Sequence, residues 1–370
     1  MKEKKRFVIL VTVFVLVSLV LNYLSVSNIF HSLNLRIGIG FYILLFFLSF
    51  SYPLTIILER YRPMSLTKAF YRIASIWIGI AFFSIVIFLI YGLISVLFTF
   101  NGQIGSGVVL SFIMIMSFIA LLNGRKLKIN LMDIEIKGLK KELKIVHLSD
   151  LHIGAIHQKK YLERVVKETN SLNPDIVIIT GDLVDGSSII SSKILSPINK
   201  IKSPVYFVIG NHEIYEGLDR VMPVLRKTKM KILRNEKTKF HNIYLIGIDY
   251  SESRRKVIEK LNKIKIDKDK TNILLYHAPT FKLNSLEKRG ISLHLAGHTH
   301  DGQIFPLNLL IRVLYPYVRG LHKSEDSNVF VSMGTGTWGP PMRLGSSNEI
   351  TLINLKKNKT NKTDKINPME

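Results

Sequence analysis

Four long uncharged stretches in the first third of the chain constrain its fold more than any other feature. They lie at residues 7–24, 37–58, 73–98 and 103–122. A helix that crosses a bilayer needs about 20 mostly apolar residues. None of the four carries the polar stripe that a helix of a soluble bundle exposes to water, and 7–24 is too long for a cleaved signal peptide. We therefore predict an N-terminal α-helical membrane bundle of four spans within residues 1–124.

The basic residues between these stretches predict an orientation. The N-terminal segment, the second loop and the segment after the fourth stretch together contain eleven lysines and arginines. The first loop contains Arg36 alone, and the third loop, 99–106, contains none. Lys and Arg accumulate in short loops on the cytoplasmic side. The pattern predicts a multi-pass protein of the cell membrane with both termini in the cytoplasm.

Composition narrows the chemistry of any site. The 370 residues include no cysteine, which excludes a disulfide scaffold, an iron–sulfur cluster and thiol catalysis. Any bound metal must therefore be held by His, Asp, Glu or Asn. The net charge is +24, of which +17 belongs to residues 125–370, and such a charge is compatible with nucleic acid, an anionic membrane or an acidic substrate.

After residue 125 the pattern changes to short β-rich runs separated by polar or helical segments. Helices are predicted at 161–170 and 191–202, and strands at 143–147, 176–180, 205–209, 244–248, 273–276, 291–295, 329–333 and 350–355. This alternation is typical of an α/β domain, predicted at 125–356. Residues 357–370 are rich in Lys and Asn without an apolar period, and we predict a disordered basic tail there.

Polar clusters follow five of the predicted strands. In chain order they contribute Asp150 and His152, Asp182 and Asp185, Asn211 and His212, His277, and His298 with His300. Ligands bind outside the carboxyl ends of strands in α/β sheets, so we expect the five clusters to meet at one edge. Carboxylates, a carboxamide and five imidazoles form a ligand set suited to two divalent ions.

These clusters resemble the five motifs of the calcineurin-like metallophosphoesterases. Residues 130–356 are similar to the bacterial membrane-associated branch of that superfamily in three runs: KIVHLSDLHIG, GHTHDGQIFP and GTGTWGPPMRLGSSNEITLINL. The resemblance implies a four-layer αββα sandwich and hydrolysis of a phosphoester by a metal-bound hydroxide. One position departs from the branch, because Asp301 stands where it usually has Gly. We expect this extra carboxylate to affect metal affinity or substrate charge preference.

The resemblance also implies a role for each site residue. Two divalent ions, such as Mn, Fe or Zn, would share Asp182 as a bridge. The first ion would take Asp150, His152 and His300, and the second Asn211, His277 and His298. His212 would protonate the leaving group, with Asp185 orienting and charging its imidazole. Outside the motifs, we expect Glu213 to be a supporting residue and His147 and His294 to be packing residues.

The substrate is less constrained than the chemistry. Protein Ser/Thr phosphatases of the superfamily carry Arg directly after the second Asp of the Gly-Asp motif, and this chain has Gly186 there. The lysines are not interleaved with aromatic residues as in nucleic-acid grooves, so no stable nucleic-acid partner is expected. The membrane spans favour membrane lipids as partners and a lipid or lipid-linked phosphoester or pyrophosphate as substrate. A phosphodiesterase or nuclease acting on soluble nucleotides, and a catalytically silent membrane scaffold, are the alternatives.

An unusually apolar segment follows the last cluster, at residues 304–317. It would either pack as a structural flap over the sheet edge or touch the bilayer interface, with Arg312 and Arg319 meeting anionic headgroups.

Overall fold

The first third of the molecule is a bundle of four helices. The computed structural model describes residues 2–98 and 101–358, with side chains described at Thr12 and from Phe14 onward. The helices are α1 (Lys2–Ser32), α2 (Ile39–Tyr61), α3 (Ser65–Leu97) and α4 (Gly102–Arg125). Each contains a segment long and apolar enough to cross a membrane, judged by length and composition. Of the predicted tail, Lys357 ends the last strand, and 359–370 lie outside the described residues.

The bundle is apolar outside and contains small polar pairs inside. Leu89 and Leu93 of α3 are each 64% exposed, as expected of side chains that face lipid. Between helices, the buried Ser25 and Ser84 hydroxyls are 2.6 Å apart. Hydrogen bonds between small polar side chains are a usual means of holding helices together within a membrane.

The rest of the chain forms two six-stranded sheets with helices on their outer faces. The first sheet has the strand order β1 (Leu127–Ile136), β12 (Asn348–Lys357), β2 (Leu143–Leu148), β3 (Ile176–Ile179), β4 (Val205–Phe207), β5 (Lys231–Ile232). The second has the order β10 (Gly320–Lys323), β11 (Asn328–Val331), β9 (Leu293–Ala296), β8 (Thr271–Leu275), β7 (Ile243–Gly247), β6 (Glu236–Phe240). The helices are α5 (Lys159–Ser171), α6 (Ser192–Leu195), α7 (Asn211–Glu216), α8 (Leu218–Leu225), α9 (Arg254–Asn262), α10 (Leu283–Glu287) and α11 (Leu307–Leu314).

Three apolar cores separate the layers. One lies between the first sheet and the helices around α5 and α8, a second lies between the two sheets, and a third lies between the second sheet and α9 and α10. The predicted four-layer αββα sandwich is confirmed. The central strands β2, β3 and β4 run parallel, as do β8 and β9, and they bring their carboxyl ends to a common edge.

The helix bundle packs directly against the α/β domain. The Arg343 N–H donates to the Ala120 carbonyl of α4 at 2.8 Å, and the buried Asn348 side chain donates to the Gly124 carbonyl at 2.7 Å. A Cβ atom at Gly124 would lie 2.3 Å from the Pro341 carbonyl oxygen. At Gly79 of α3 it would lie 2.7 Å from the Met342 sulfur. Glycine at these two positions lets the loop around Pro341 touch both helices.

Candidate metal centre

The backbone at the common sheet edge brings the five polar clusters together. The loop after β2 is bonded to the loop after β3, since the Asp150 N–H donates to the Gly181 carbonyl and the His152 N–H to the Asp182 carbonyl. Gly297, which precedes His298, fits against the first loop only because it has no side chain. A Cβ atom there would lie 2.1 Å from an Asp150 carboxylate oxygen.

One group of ligating atoms lies on the β2 side. The Nε2 atoms of His152 and His300 are 3.0 Å apart. The Asp150 carboxylate lies 3.4 Å from His300 Nε2 and 4.0 Å from His152 Nε2. All three side chains are buried, and their ligating atoms are close enough to share one ion.

A second group lies on the β8 and β9 side. His277 Nε2 is 3.0 Å from the Asp182 carboxylate and 3.2 Å from His298 Nδ1. The Asn211 side-chain oxygen is 2.9 Å from the same His298 nitrogen. The Asp182 carboxylate is also 3.9 Å from His152 Nε2, so it stands between the two groups.

The chemistry of these groups fits two divalent ions. Four imidazoles aim ring nitrogens into a buried space that also holds two carboxylates and a carboxamide oxygen, and borderline divalent ions prefer this mixed set. Burial and the adjacent Arg343 hold the pKa of His300 well below its usual range. Burial and nearby His212 do the same for the pKa of His152. Both rings are therefore unprotonated and able to ligate.

The charge balance around His277 agrees with this arrangement. Burial lowers the pKa of His277, but the Asp182 and Asp150 carboxylates outweigh that effect and raise it to about 9. A protonated His277 compensates the negative charge of the two carboxylates, as a bound metal cation would. A metal ion that displaces this proton keeps the negative charge compensated.

Backbone strain is concentrated at the site. Asp150, His152, Asp182, His298 and His300 all have φ between 47° and 73°, a region that residues other than glycine seldom adopt. Such conformations persist only where the surrounding structure enforces them, and they cluster at functional sites. Here the left-handed turns redirect each strand end so that its side chain faces the centre.

His212 lies beside the two groups and is held through Asp185. Its Nδ1 donates to the Asp185 main-chain carbonyl at 2.5 Å, and its Nε2 lies 3.9 Å from the Asp182 carboxylate. The Asp185 carboxylate, which we expected to orient this ring, accepts from Ser187 and lies 3.7 Å from His152 Nδ1. One of its oxygens also lies within 4.8 Å of a His212 ring nitrogen.

Two buried residues support the site from behind. Glu213 accepts the N–H groups of Gly210, Asp182 and Val184 at 2.8 to 3.1 Å, as expected for a supporting residue. Arg343 is fully buried, donates to the His300 carbonyl at 2.7 Å, and lies 3.1 Å from His300 Nδ1. Its position was not evident from the sequence, where it lies in the run GPPMRLGSS without a neighbouring ligand.

Helices of the bundle reach the loop that contains Asp185. The Ser188 hydroxyl donates to the buried Glu59 carboxylate of α2 at 3.0 Å. Tyr71 of α3 faces the Ser187 hydroxyl, which in turn donates to Asp185. Glu59 is one of only two acidic residues among the first 124. This rarity was the only sign in the sequence that Glu59 has a special role. The bundle therefore forms one wall beside the site.

Asp301 takes part in an ion pair beside the centre. One of its carboxylate oxygens accepts from Arg319 at 2.8 Å, and Asp301 is not among the described residues whose ligating atoms are grouped for an ion. Burial raises the pKa of this carboxyl, with Arg319 acting in the opposite direction. The extra carboxylate of this chain thus fixes an arginine next to His300.

The apolar segment after His300 is an exposed amphipathic helix, α11. No residue of α11 is buried, and Leu309, Leu310, Val313 and Leu314 are 53 to 83% exposed. The expectation that this segment packs as a structural flap over the sheet edge is therefore wrong for these four side chains. The Tyr315 hydroxyl, directly after α11, lies 2.7 Å from His298 Nε2, so the helix ends at the metal centre.

The other histidines that we expected to pack in the core lie there. His147 is buried between the sheets, with Nε2 2.7 Å from the Thr180 hydroxyl. His294 is buried with Nε2 3.0 Å from the Tyr276 carbonyl.

Comparison with known proteins agrees with this geometry. The family described as "Calcineurin-like phosphoesterase" matches residues 143–302. A Helicobacter pylori protein named "Uncharacterized metallophosphoesterase" is 39% identical over 236 residues, which cover 62% of this chain and 64% of that protein. The chain thus spans slightly less than two thirds of that relative's length.

Two further relatives come from other organisms. An Aquifex aeolicus protein named "Uncharacterized metallophosphoesterase" is 32% identical over 225 residues, which cover 58% of this chain and 85% of that protein. A Danio rerio protein named "Transmembrane protein with metallophosphoesterase domain" is 37% identical over 235 residues, which cover 58% of this chain and 53% of that protein.

Proposed function

The chain belongs to the calcineurin-like metallophosphoesterase family, and from that premise we propose that it hydrolyses a phosphoester or pyrophosphate bond of a lipid or lipid-linked substrate with two divalent ions. The observation that carries the proposal is the position of the Asp182 carboxylate between two groups of imidazoles, 3.0 Å from His277 and 3.9 Å from His152. The residues that would hold the ions are Asp150, His152, Asp182, Asn211, His277, His298 and His300.

The protein side chains have separable tasks. Once bound, the ions would supply Lewis acidity, which makes water a nucleophile near neutral pH and compensates charge on the phosphate. His212 would protonate the leaving oxygen. Because its Nδ1 donates to the Asp185 carbonyl, its Nε2 is the nitrogen free to hold and release the catalytic proton. Trp338 is 56% exposed beside this ring and would pack against the leaving group.

The surface around the centre favours a substrate that stays in the membrane. The exposed apolar face of α11 has the character of a helix that lies in the interface of a bilayer. Arg312 on the same helix would meet anionic headgroups. Because Tyr315 contacts His298, a lipid held at α11 would lie next to the metal centre.

We also propose that the catalytic domain faces the cytoplasm from the cell membrane. The proposal rests on the alternation of the loops, because eleven basic residues lie in the segments assigned to one side of the spans and one in those assigned to the other. A reporter fused after residue 370 that signals from outside the cell would overturn it.

The proposed function is tested by turnover of the full chain in lipid nanodiscs. The substrates are an aryl phosphomonoester, an aryl phosphodiester, phosphatidic acid and a polyprenyl pyrophosphate, each assayed with Mn²⁺, Zn²⁺ or Fe²⁺ and after chelation. We expect hydrolysis of at least one lipid and one soluble ester, loss of both on chelation, and recovery when metal returns. Hydrolysis that survives chelation would contradict the metal-dependent mechanism.

A double substitution in α11 separates the lipid part of the proposal from the chemistry. Replacing Leu310 and Leu314 by Ser is expected to lower lipid turnover by roughly tenfold, because each lost apolar contact weakens interfacial binding. Turnover of the soluble ester should not change, since both side chains are more than half exposed. Leu131→Ser, at a 66% exposed position of β1, is the matched control. Equal losses on lipid and soluble ester would remove the lipid assignment.

A further inference from the structure

An apolar groove runs along the seam between α3 and α4. One face of α3 between Phe83 and Ile94 and one face of α4 between Val108 and Met116 line it, and it has a volume of about 620 Å³. Phe305, Leu344 and Gly345 of the catalytic domain close one end. We refer to this feature as the α3–α4 groove. Its size lies within the range of sites that bind small organic ligands.

The closed end of the groove is the end nearest the metal centre. The Phe305 N–H donates to the Leu344 carbonyl at 2.9 Å, which holds the backbones of these two residues together. Leu344 directly follows Arg343, whose guanidinium lies 3.1 Å from His300 Nδ1. The Gly345 carbonyl is 3.5 Å from Arg319, the partner of Asp301.

The depth of the groove corresponds to one leaflet of a bilayer. At 1.5 Å rise per residue, its α3 wall of residues 83–94 is about 16 Å long. The hydrocarbon core of a bilayer is about 30 Å thick, so the groove extends from the domain to roughly the bilayer midplane. Since α3 and α4 are both long and apolar enough to cross a membrane, its open side faces acyl chains.

We propose that the α3–α4 groove holds an acyl chain of the lipid whose phosphate is presented to the metal centre. This inference rests on the proposed function and deepens it, because it makes a long-chain phospholipid of the leaflet next to the domain the substrate class. A chain that stays in the groove remains in apolar surroundings throughout, whereas extraction into water would cost free energy for every methylene exposed. Arg319 lies at the closed end of the groove, where it is paired with Asp301 and half exposed, and its remaining N–H groups would donate to the headgroup phosphate.

Filling the groove without disturbing the bundle tests this directly. Ile90 lines the groove and is 43% exposed, whereas Leu93 on the same helix is 64% exposed and lies outside the lining. The full chain and its Ile90→Trp and Leu93→Trp variants are placed in nanodiscs with dipalmitoyl phosphatidic acid that carries a diazirine in one chain. Photolabelling reports where the chain lies, independently of turnover.

We expect the label to fall on peptides of α3 and α4. The labelling yield should drop at least roughly tenfold in Ile90→Trp and stay unchanged in Leu93→Trp, because only the indole at position 90 occupies the groove. For dipalmitoyl phosphatidic acid the kcat/KM ratio should fall in parallel, while dibutyryl phosphatidic acid, which has the same headgroup, should be unaffected. Val108→Trp on the α4 wall, with Met114→Trp as its exposed control, repeats the test if Ile90→Trp does not fold.

The outcomes separate the groove from the chemistry. Equal labelling of both tryptophan variants, or label spread over all outward faces of the helices, would mean ordinary surrounding lipid and would overturn the inference. Label on a second copy of the chain would assign the groove to a helix–helix contact and overturn it as well. If the aryl ester in the same nanodiscs is not hydrolysed by the unaltered chain, the proposed function fails, whatever the labelling shows.

Discussion

Replacing Asp182 by Asn is expected to lower turnover by roughly 10³-fold or more. This loss is larger than the roughly 10- to 100-fold loss that usually follows when a residue that only hydrogen-bonds to a metal ligand is replaced. The reason is its position, since this one carboxylate faces both His277 and His152. An amide removes the negative charge and leaves a single good oxygen ligand, so it cannot bridge two cations equally well. Turnover and metal content of the purified full chain are the two measurements.

The control for this variant is Asp133→Asn, at an exposed position of β1 whose carboxylate pairs with Lys356. It should keep full activity and the same metal content. An Asp182→Asn protein that is active and still retains two ions per chain would remove the bridging role of Asp182.

Replacing His212 by Ala is expected to give the second-largest loss, and one that depends on the substrate. An alkyl ester, whose leaving oxygen needs a proton, should be hydrolysed roughly 10²- to 10⁴-fold more slowly. An aryl ester with an acidic leaving group should lose much less. Both metal ions should stay bound, because His212 is not among the seven residues that we assign to the ions and its Nδ1 donates to the Asp185 carbonyl.

His212→Asn is the matched variant for this test. Its amide N–H can still donate to the Asp185 carbonyl, but it has no nitrogen that titrates, so packing is preserved while the acid is lost. It should behave like the alanine variant on both esters. An equal loss on alkyl and aryl esters would show that His212 acts on structure or binding and not as a proton donor.

Much of the site could be predicted from the sequence because its residues are local to strand ends. Asp150 and His152 directly follow a run of buried apolar residues, and Gly297 and His298 follow another, so chain order alone indicated which edge they share. The same reasoning located the four apolar helices, since hydropathy requires no knowledge of partners. Individual boundaries were less accurate. The first stretch, predicted at 7–24, belongs to a helix that continues to Ser32.

The parts that could not be predicted depend on contacts between distant segments. Strand β1 (Leu127–Ile136) pairs with the last strand, more than 200 residues away, and its alternation of polar and apolar residues alone did not identify it. Arg343 and Tyr315 contact His300 and His298, which we propose as metal ligands and which lie 43 and 17 residues away in the chain. Glu59 of α2 meets Ser188 only because the bundle docks on the domain. Spacing in the sequence carries no information about such pairs.

The placement of the bundle changes what an isolated soluble domain would expose. Met342 is buried beside Gly79 of α3. Ala155 is buried beside Tyr71 of the same helix. Removal of residues 1–124 would leave these surfaces in water and free the loop that contains Asp185. For this reason turnover and metal binding are to be measured on the full chain.

The most direct test of the dinuclear centre is anomalous X-ray scattering from crystals of the full chain grown with Mn²⁺. We expect two peaks, one among Asp150, His152 and His300, and the other among Asn211, His277 and His298, with the Asp182 carboxylate between them. A single peak, or two peaks away from these side chains, would contradict it.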